Sequence, residues 1–389
     1  MWCLAIADQR RGGVGRRQLR DEHHTKSKTL RVSFRPANTG ARERQWWRYL
    51  RIRTLALAAA SLSGSLLAAG NAKSETLEGV RARGQLVCGV SDQVPGFAVS
   101  GRFGDWKGIE IDFCRAVAAA VLGDKSKVVF KPMSRPDGPR SLAAGEVDLL
   151  AQTSAWTFSN DTEFKIRFVD ILVYDGQGFL VPKSHGLSSV LELSGASICV
   201  VSDTRAQEKV ASYFGRRRMN YHLVKNVSWK DLLGSYGAGK CTALTGDVTQ
   251  LAAARRLLVS PRQHEILPEF ISKEPLGPAV RMQDTNWFAV LRWVRMALIE
   301  AEELGVNRSN VSTMAKSPIE DVRRLLGSGS TLGQSLGLDA EWARRMIGAV
   351  GNYGEIFERN LGPGSDLQLE RGYNKLWTNG GLMYGVPIR

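Results

Sequence analysis

Few side chains of this sequence have the types and spacing that covalent catalysis or metal binding requires. The histidines show no metal-ligand spacing, since His23 and His24 lie near the N-terminus and His185, His222 and His264 are isolated. Neither HExxH, nor GxSxG, nor a Walker-type phosphate loop occurs. We therefore expect a protein with no metal site and no cofactor, and not an enzyme of these classes.

One acidic pair is the exception to examine. Glu146 and Asp148 stand two residues apart, and on a strand such residues share a face. Glu146 lies at the start of the predicted strand Val147–Leu150, whereas ligands of open α/β sheets bind at the carboxyl ends of the strands. The pair is therefore predicted to lie away from any ligand and not to act as a catalytic dyad.

Four other side chains are candidates for contact with a small ligand. The aromatic faces of Phe97 and Trp156 can cover a ligand and attract a cation, although core packing would also explain them. Thr204 precedes a predicted helix, where its hydroxyl and the neighbouring N–H groups could bind an anion or simply cap the helix. Arg205 beside it could bring a positive charge to the ligand or face water.

These candidates stand between segments with alternating strand-like and helix-like patterns. The run Gln85–Val90 predicts a buried strand, and the spacing of apolar residues over Asp112–Leu122 predicts a helix. Such alternation indicates βαβ units and a largely parallel sheet. A second series begins near Gly176, which predicts two α/β lobes with a cleft between them. Phe179–Val181 and Ile271–Val280 are predicted to be the two connections between the lobes.

The N-terminus has the layout of a secretory signal peptide. A basic stretch around Arg48 is followed by the apolar run Leu55–Ala69 and the small-residue end Gly70–Ala72. The run is shorter than the roughly 20 residues of a membrane-spanning helix, which is the alternative. The first 53 residues carry 14 Lys and Arg against 4 Asp and Glu, so most of the net charge of +15 lies there. We therefore predict a basic leader and signal peptide over residues 1–72, export to the periplasm, and no nucleic-acid partner.

Four of the five cysteines lie beyond this leader, which contains Cys3. They are Cys88, Cys114, Cys199 and Cys241. An even number in an exported chain indicates two disulfides, with three possible pairings, and the alternative is four small buried apolar side chains. The pairings Cys88–Cys114 and Cys199–Cys241 are favoured, because each lobe holds two cysteines and a bridge between moving lobes would block closure.

Six segments of the exported chain resemble one protein family. They are Leu86–Val90, Trp106–Gly123, Tyr174–Phe179, Ile271–Arg281, Ala301–Val306 and Leu376–Tyr384. The family is that of the general L-amino-acid-binding periplasmic proteins of ABC transporters, within solute-binding protein family 3. The resemblance runs from about Thr76 to Arg389, and the four cysteines match the family's pattern.

The resemblance implies an α/β, two-lobed periplasmic binding protein type II fold with a hinge between the lobes and a helical C-terminal extension. The implied boundaries are 75–172 and 273–310 for lobe 1, 173–272 for lobe 2, and 311–389 for an extension packed on lobe 1. It also implies a receptor that captures a polar or general L-amino acid by lobe closure and delivers it to an ABC transporter permease. We expect this receptor to be a monomer.

The resemblance further assigns the two poles of a ligand site. The family grips the ligand's α-carboxylate with an Arg that follows a Thr-Trp-Thr-x-Ser stretch. Here Ala155 replaces the first Thr, Trp156 and Thr157 are kept, and Asn160 replaces the Arg. Asn lacks the charge and fork of a guanidinium, which should weaken binding by roughly tenfold to a hundredfold. Asp247 stands where the family uses an acid for the α-ammonium, and its alternative role is to cap the following helix.

The departure at Asn160 leaves several alternatives open. Arg205 could supply the missing positive charge from the other lobe. The pocket could also have changed or lost its ligand, which would leave a sensor or an interaction protein. Cyclohexadienyl dehydratases resemble the same fold, so a related enzyme is the second alternative.

Overall fold

The computed structural model describes residue 33 and residues 76–329 and 331–389. The predicted leader, residues 1–72, therefore lies outside the described residues apart from residue 33. Within the described part, no helix has both the length and the hydropathy needed to cross a membrane.

The regular elements alternate along the chain, as the sequence predicts. The helices are α1 (Thr76–Arg83), α2 (Ile109–Leu122), α3 (Gly138–Ala144), α4 (Phe158–Glu163), α5 (Arg205–Arg216), α6 (Trp229–Gly237), α7 (Val248–Arg255), α8 (Thr285–Glu303), α9 (Val311–Met314), α10 (Glu320–Leu325), α11 (Trp342–Val350) and α12 (Tyr353–Asn360). The strands are β1 (Leu86–Ser91), β2 (Val99–Ser100), β3 (Trp106–Lys107), β4 (Val128–Met133), β5 (Leu149–Ala155), β6 (Ile166–Phe168), β7 (Val173–Asp175), β8 (Gln177–Pro182), β9 (Ala196–Val201), β10 (Tyr221–Asn226), β11 (Ala243–Asp247), β12 (His264–Ile266) and β13 (Glu274–Arg281).

The first sheet has the strand order β4-β1-β5-β13-β6, and β7 also pairs with β13. β1 runs parallel to β4 and β5, whereas β13 is antiparallel to its partners. Helix α2, which is apolar on nearly all sides, lies buried against this sheet. Gly108 precedes α2 with φ 134°, and a Cβ at that position would lie 1.9 Å from the Phe97 carbonyl oxygen. Only glycine allows the chain to enter α2 this close to its neighbour.

The second sheet repeats this arrangement with the order β10-β9-β11-β8-β12. β9 is parallel to β10 and β11, and β8 is antiparallel to β11 and β12. Apolar side chains such as Phe179, Ile198 and Phe214 form a core for this sheet, separate from the larger core around α2 and α8. The second sheet thus has core side chains of its own, and the predicted two-lobed fold is confirmed.

The chain passes between the two sheets at two points. β7 belongs to the first sheet and β8 to the second, so the first crossing is at Gly176. The second crossing lies between Ile266 of β12 and Glu274 of β13. The prediction that Phe179–Val181 forms the first crossing is wrong, because this apolar run is buried within β8 and paired on both sides.

The two crossings contact each other and form the hinge. The Gln177 N–H donates to Ser272 Oγ at 3.1 Å, and the Ile271 N–H donates to the Gln177 carbonyl at 2.8 Å. A Cβ on Gly176 would lie 2.5 Å from the Ser272 carbonyl oxygen. The close approach of the two crossings therefore depends on glycine at this position.

Helices α9 to α12 form the predicted helical extension. α11 and α12 pack against α2 and α8 of the first lobe. The segment after α12 also reaches the second lobe, where Arg256 pairs with Asp366 at 2.8 Å and Arg255 donates to the Leu367 carbonyl at 2.7 Å. The extension thus contacts both lobes beside the hinge.

Two disulfides join elements within each lobe. Cys88 on β1 is bonded to Cys114 on α2, with their Cα atoms 6.3 Å apart. Cys199 on β9 is bonded to Cys241, two residues before β11, with a Cα separation of 5.7 Å. Both predicted pairings are confirmed, and neither bridge crosses the hinge.

Candidate functional site

Charged side chains from both lobes meet where the parallel strands end. Arg135 follows β4 of the first lobe, Asp247 ends β11 of the second lobe, and Glu274 begins β13 after the second crossing. Burial raises the pKa of both the Asp247 and Glu274 carboxyls, and the positive charge of Arg135 acts against this rise. Coulombic effects of this kind require proximity, so these groups lie close to one another.

Asp247 occupies the N-cap position of α7, but its side chain makes no capping hydrogen bond. The carboxyl is partly buried, and this burial raises its pKa, while the charge of Arg135 acts in the opposite direction. Helix capping therefore does not account for this side chain. A partly buried carboxylate at this edge is suited to bind a ligand cation.

Glu274 is a second acid in the cleft that the sequence reasoning missed. Burial raises the pKa of its carboxyl, and the negative charge of Asp247 raises it further. The charges of Arg205, Lys209 and Arg135 lower it. Glu274 lies within the family-like segment Ile271–Arg281, but the sequence did not single it out, because its position in the cleft depends on where the chain changes sheets.

Asp175 is a third acid near the cleft, but it is fully engaged. It is 5% exposed and accepts hydrogen bonds from the Thr249 hydroxyl at 2.5 Å, from the Gly176 N–H at 2.8 Å and from the Thr249 N–H at 3.4 Å. Burial raises the pKa of Asp175 to about 7, and the charge of Asp247 also raises it. Asp175 therefore ties β7 to the start of α7 rather than facing a ligand.

Trp156 lies at the carboxyl end of β5 and exposes 40% of its surface. Its ring stacks on Phe168 with a centroid distance of 5.9 Å and an interplanar angle of 12°. The backbone N–H of Trp156 donates to the Pro275 carbonyl at 2.8 Å, which holds the Trp156 backbone next to Glu274. One face of the indole is thus fixed by packing, and the exposed part remains for a ligand.

Thr157 and Asn160 satisfy groups of their own loop. Thr157 caps α4 by accepting from the Asn160 N–H at 3.3 Å. The Asn160 side-chain amide donates to the Ala155 carbonyl at 2.8 Å. Asn160 therefore stabilises the turn in which the resemblance implies a carboxylate-binding Arg.

Thr204 and Arg205 lie at the start of α5 in the second lobe. The Thr204 hydroxyl donates to the Val201 carbonyl at 2.7 Å and makes no capping bond to α5. Arg205 is exposed, and its charge lowers the pKa of Glu274. Arg205 thus lies near the cleft acids, whereas the Thr204 hydroxyl is directed to its own chain.

Phe97 does not lie on the cleft surface. It is 3% exposed and packs in the core of the first lobe, while its carbonyl accepts from the Glu110 N–H at 3.2 Å. The interpretation of Phe97 as a cleft wall is therefore corrected in favour of core packing. Phe97 lies in the turn closed by the bridge between Val94 and Ala98, just before β2.

Glu146 and Asp148 do not form a shared acidic site. Glu146 pairs with Lys131 at 3.2 Å. Asp148 accepts from the Val87 N–H at 2.7 Å and pairs with Arg83. Each carboxylate has its own structural partners, as the sequence argument predicts.

The cleft charges lack permanent partners. Within residues 76–329 and 331–389, no ion pair or side-chain hydrogen bond joins the cations Arg135, Arg205 and Lys209 to the acids Asp247 and Glu274. Cations and carboxylates from both lobes thus face a shared space without closing on one another. This arrangement is suited to a small ligand that carries both charges.

Two α/β lobes, a double-crossing hinge and a charged cleft define a solute-binding protein that closes around its ligand. A sequence profile of the bacterial extracellular solute-binding proteins, family 3, matches residues 86–303. The chain belongs to this family.

Similar proteins cover nearly the whole described chain. The general L-amino acid-binding periplasmic protein AapJ of Rhizobium johnstonii is 44% identical over 86% of this chain and 99% of its own length. The glutamate/glutamine/aspartate/asparagine-binding protein BztA of Rhodobacter capsulatus is 44% identical over 85% of this chain and 98% of its own. A periplasmic binding protein from Brucella ovis, solved with glutathione bound, is 44% identical with a TM-score of 0.71 and covers 81% of this chain and all of its own. These relatives are binding proteins.

Proposed function

We propose that this chain captures a free L-amino acid between its lobes and delivers it to the permease of an ABC transporter. The observation that carries the proposal is Asp247, a partly buried carboxylate at the N-cap of α7 that does not cap the helix and lies near the cation Arg135. A zwitterion matches such a site, because each of its poles meets an opposite charge. The names of AapJ and BztA support the same ligand class.

The proposed binding residues come from both lobes. Asp247 and Glu274 receive the α-ammonium, and the exposed face of Trp156 covers the ligand. Arg205 contributes a cation from the second lobe. Thr157, Thr204 and Asn160 act indirectly, because their side chains hold the turns on which these groups stand.

A thermal-shift screen with the twenty L-amino acids tests the proposal. A ligand at 100 times its dissociation constant stabilises a one-site receptor by about 2.7 kcal/mol. We expect at least one amino acid to raise the melting temperature, with a dissociation constant that calorimetry then measures. If none raises it and calorimetry detects no heat, the chain is not an amino-acid receptor. Consumption of the added compound would instead indicate an enzyme.

Glutathione belongs in the same screen for a specific reason. It carries an amino-acid head group and a second carboxylate at its glycine end. Arg205 and Lys209 act together on Glu274 from one face of α5 and provide charge for such a second carboxylate. The glutathione bound to the Brucella ovis relative makes this the second ligand to test.

We further propose that the chain works as an exported monomer in the periplasm after removal of residues 1–72. The two disulfides support an oxidising compartment. N-terminal sequencing of the protein from a periplasmic extract, followed by gel filtration, tests both points. A mature chain that begins far from Lys73, or one that elutes as a dimer, would contradict them.

A further inference from the structure

Arg135 stands at the tip of a tight turn at the carboxyl end of β4. The turn is closed by hydrogen bonds from the Asp137 N–H and the Gly138 N–H to the Ser134 carbonyl, at 3.2 and 3.1 Å. The Ser134 hydroxyl also donates to the Asp137 carboxylate. Arg135 is therefore presented by a defined backbone rather than by a loose loop.

The base of this turn is anchored inside the lobe. Gln152 of β5 is 2% exposed, and its side-chain amide donates to the Met133 carbonyl at 2.6 Å. Met133 in turn is in register with Ser91, so the turn continues the edge where β1 and β4 both end. This edge borders the cleft, and Arg135 projects from it as an exposed side chain.

Arg135 differs from the other cleft cations in the acids on which its charge acts. Arg205 and Lys209 act on Glu274, whereas Arg135 acts on Glu274 and also on Asp247. The two poles of an α-amino acid lie on adjacent carbon atoms, so the cation for the carboxylate must stand near the anion for the ammonium. Among the cations that act on the cleft acids, Arg135 meets this condition.

We propose that Arg135 holds the α-carboxylate of the bound amino acid, in place of the guanidinium that Asn160 has lost. This inference rests on the proposed amino-acid function. One N–H of the Asn160 amide is bonded to the Ala155 carbonyl, and the amide has no positive charge to offer a carboxylate. A guanidinium binds a carboxylate through two parallel charge-assisted bonds, which an exposed and unpaired Arg135 can form when the lobes close.

Binding of each L-amino acid and of its α-carboxamide, measured by calorimetry, tests this role. The Arg135→Gln variant should bind amino acids roughly tenfold to a hundredfold more weakly than the wild type. Its affinity for the carboxamides should hardly change, because they lack the carboxylate. The ratio of the affinity for the amino acid to the affinity for its carboxamide should therefore fall in this variant. A purely structural effect on the cleft would weaken both affinities and leave this ratio unchanged.

Two further variants sharpen the test. Arg140→Gln removes an exposed arginine five residues away on α3 and should leave both affinities as in the wild type. Adding Asn160→Arg to Arg135→Gln restores the family residue and should recover the preference for the carboxylate.

The outcomes are separable from those of the proposed function. A wild type that binds no amino acid overturns both proposals. A wild type that binds amino acids, with an unchanged carboxylate preference in Arg135→Gln, overturns only the role of Arg135. Loss of that preference in Arg205→Gln but not in Arg135→Gln would likewise overturn it and assign the carboxylate to the second lobe.

Discussion

The Asp247→Asn substitution separates ligand binding from folding at one position. Asparagine keeps the shape of the side chain and removes its charge. A charge-assisted hydrogen bond to a buried partner contributes about 1.5–3 kcal/mol, so the dissociation constant for an amino acid should rise about 10- to 150-fold. In the free protein, by contrast, the substitution should not lower the free energy of unfolding. Burial raises the pKa of Asp247, which means that the folded state disfavours its ionised form, so the neutral variant should unfold no more easily at pH 7.

Calorimetry with the amino acid and thermal unfolding without it measure the two effects on one protein sample. The wild type should also lose affinity as the pH falls through the raised pKa of Asp247, and the variant should lack this loss. Glu208→Gln, an exposed acid on α5, is the matched control and should change neither quantity. An unchanged dissociation constant in Asp247→Asn would refute the assignment of the ammonium to this carboxylate.

Three further predictions concern the frame around the site. Gly176→Ala places a Cβ 2.5 Å from the Ser272 carbonyl, so denaturant unfolding should show a loss of about 1–3 kcal/mol together with weaker ligand binding. Folding raises the pKa of Asp175 from 3.8 to about 7, so the folded protein binds this proton more tightly than the unfolded chain does. The stability that the proton contributes is complete below about pH 4 and is lost as the pH rises to about 7. Asp175→Asn should therefore remove a pH dependence of at most about 4 kcal/mol from the free energy of unfolding. Replacing Cys199 and Cys241 by serine opens a bridge across 42 positions and should lower the free energy of unfolding by about 2–4 kcal/mol, whereas unchanged denaturation midpoints would contradict the bridge's contribution.

Local sequence patterns were sufficient to predict the elements that have a regular spacing of buried apolar residues. The helix predicted over Asp112–Leu122 lies within α2, Ile109–Leu122, because its apolar residues recur at helical spacing. The strand predicted at Val147–Leu150 was too short, since β5 runs on to Ala155. Its last residues, from Gln152 onward, are mostly polar and show no strand alternation, and they are held by pairing with β13. A sequence window cannot show a partner more than a hundred residues away.

The candidate site shows the same division. Asp247 was predicted from the resemblance and Trp156 from its aromatic face, and their contact with a ligand stays a prediction. Glu274 and Arg135 were not predicted, because their positions near Asp247 depend on how the two lobes are arranged in the fold. Phe97 was misassigned, since an aromatic residue in a glycine-rich turn has the same sequence pattern whether it faces the core or the cleft.

The position of a charge along the chain is therefore a weaker constraint on binding than its position in the fold. Several turns leave the sheet at the same edge, because β1, β4 and β5 are parallel neighbours whose carboxyl ends point to the same side. The binding of a ligand carboxylate depends on the distance and direction of the guanidinium, whichever turn carries the arginine. A motif that requires Arg at position 160 predicts a defective receptor, whereas the fold predicts a working one as long as Arg135 stays on its anchored turn. The Arg135→Gln and Asn160→Arg pair distinguishes these two views, since only the second allows the arginine to be exchanged between turns.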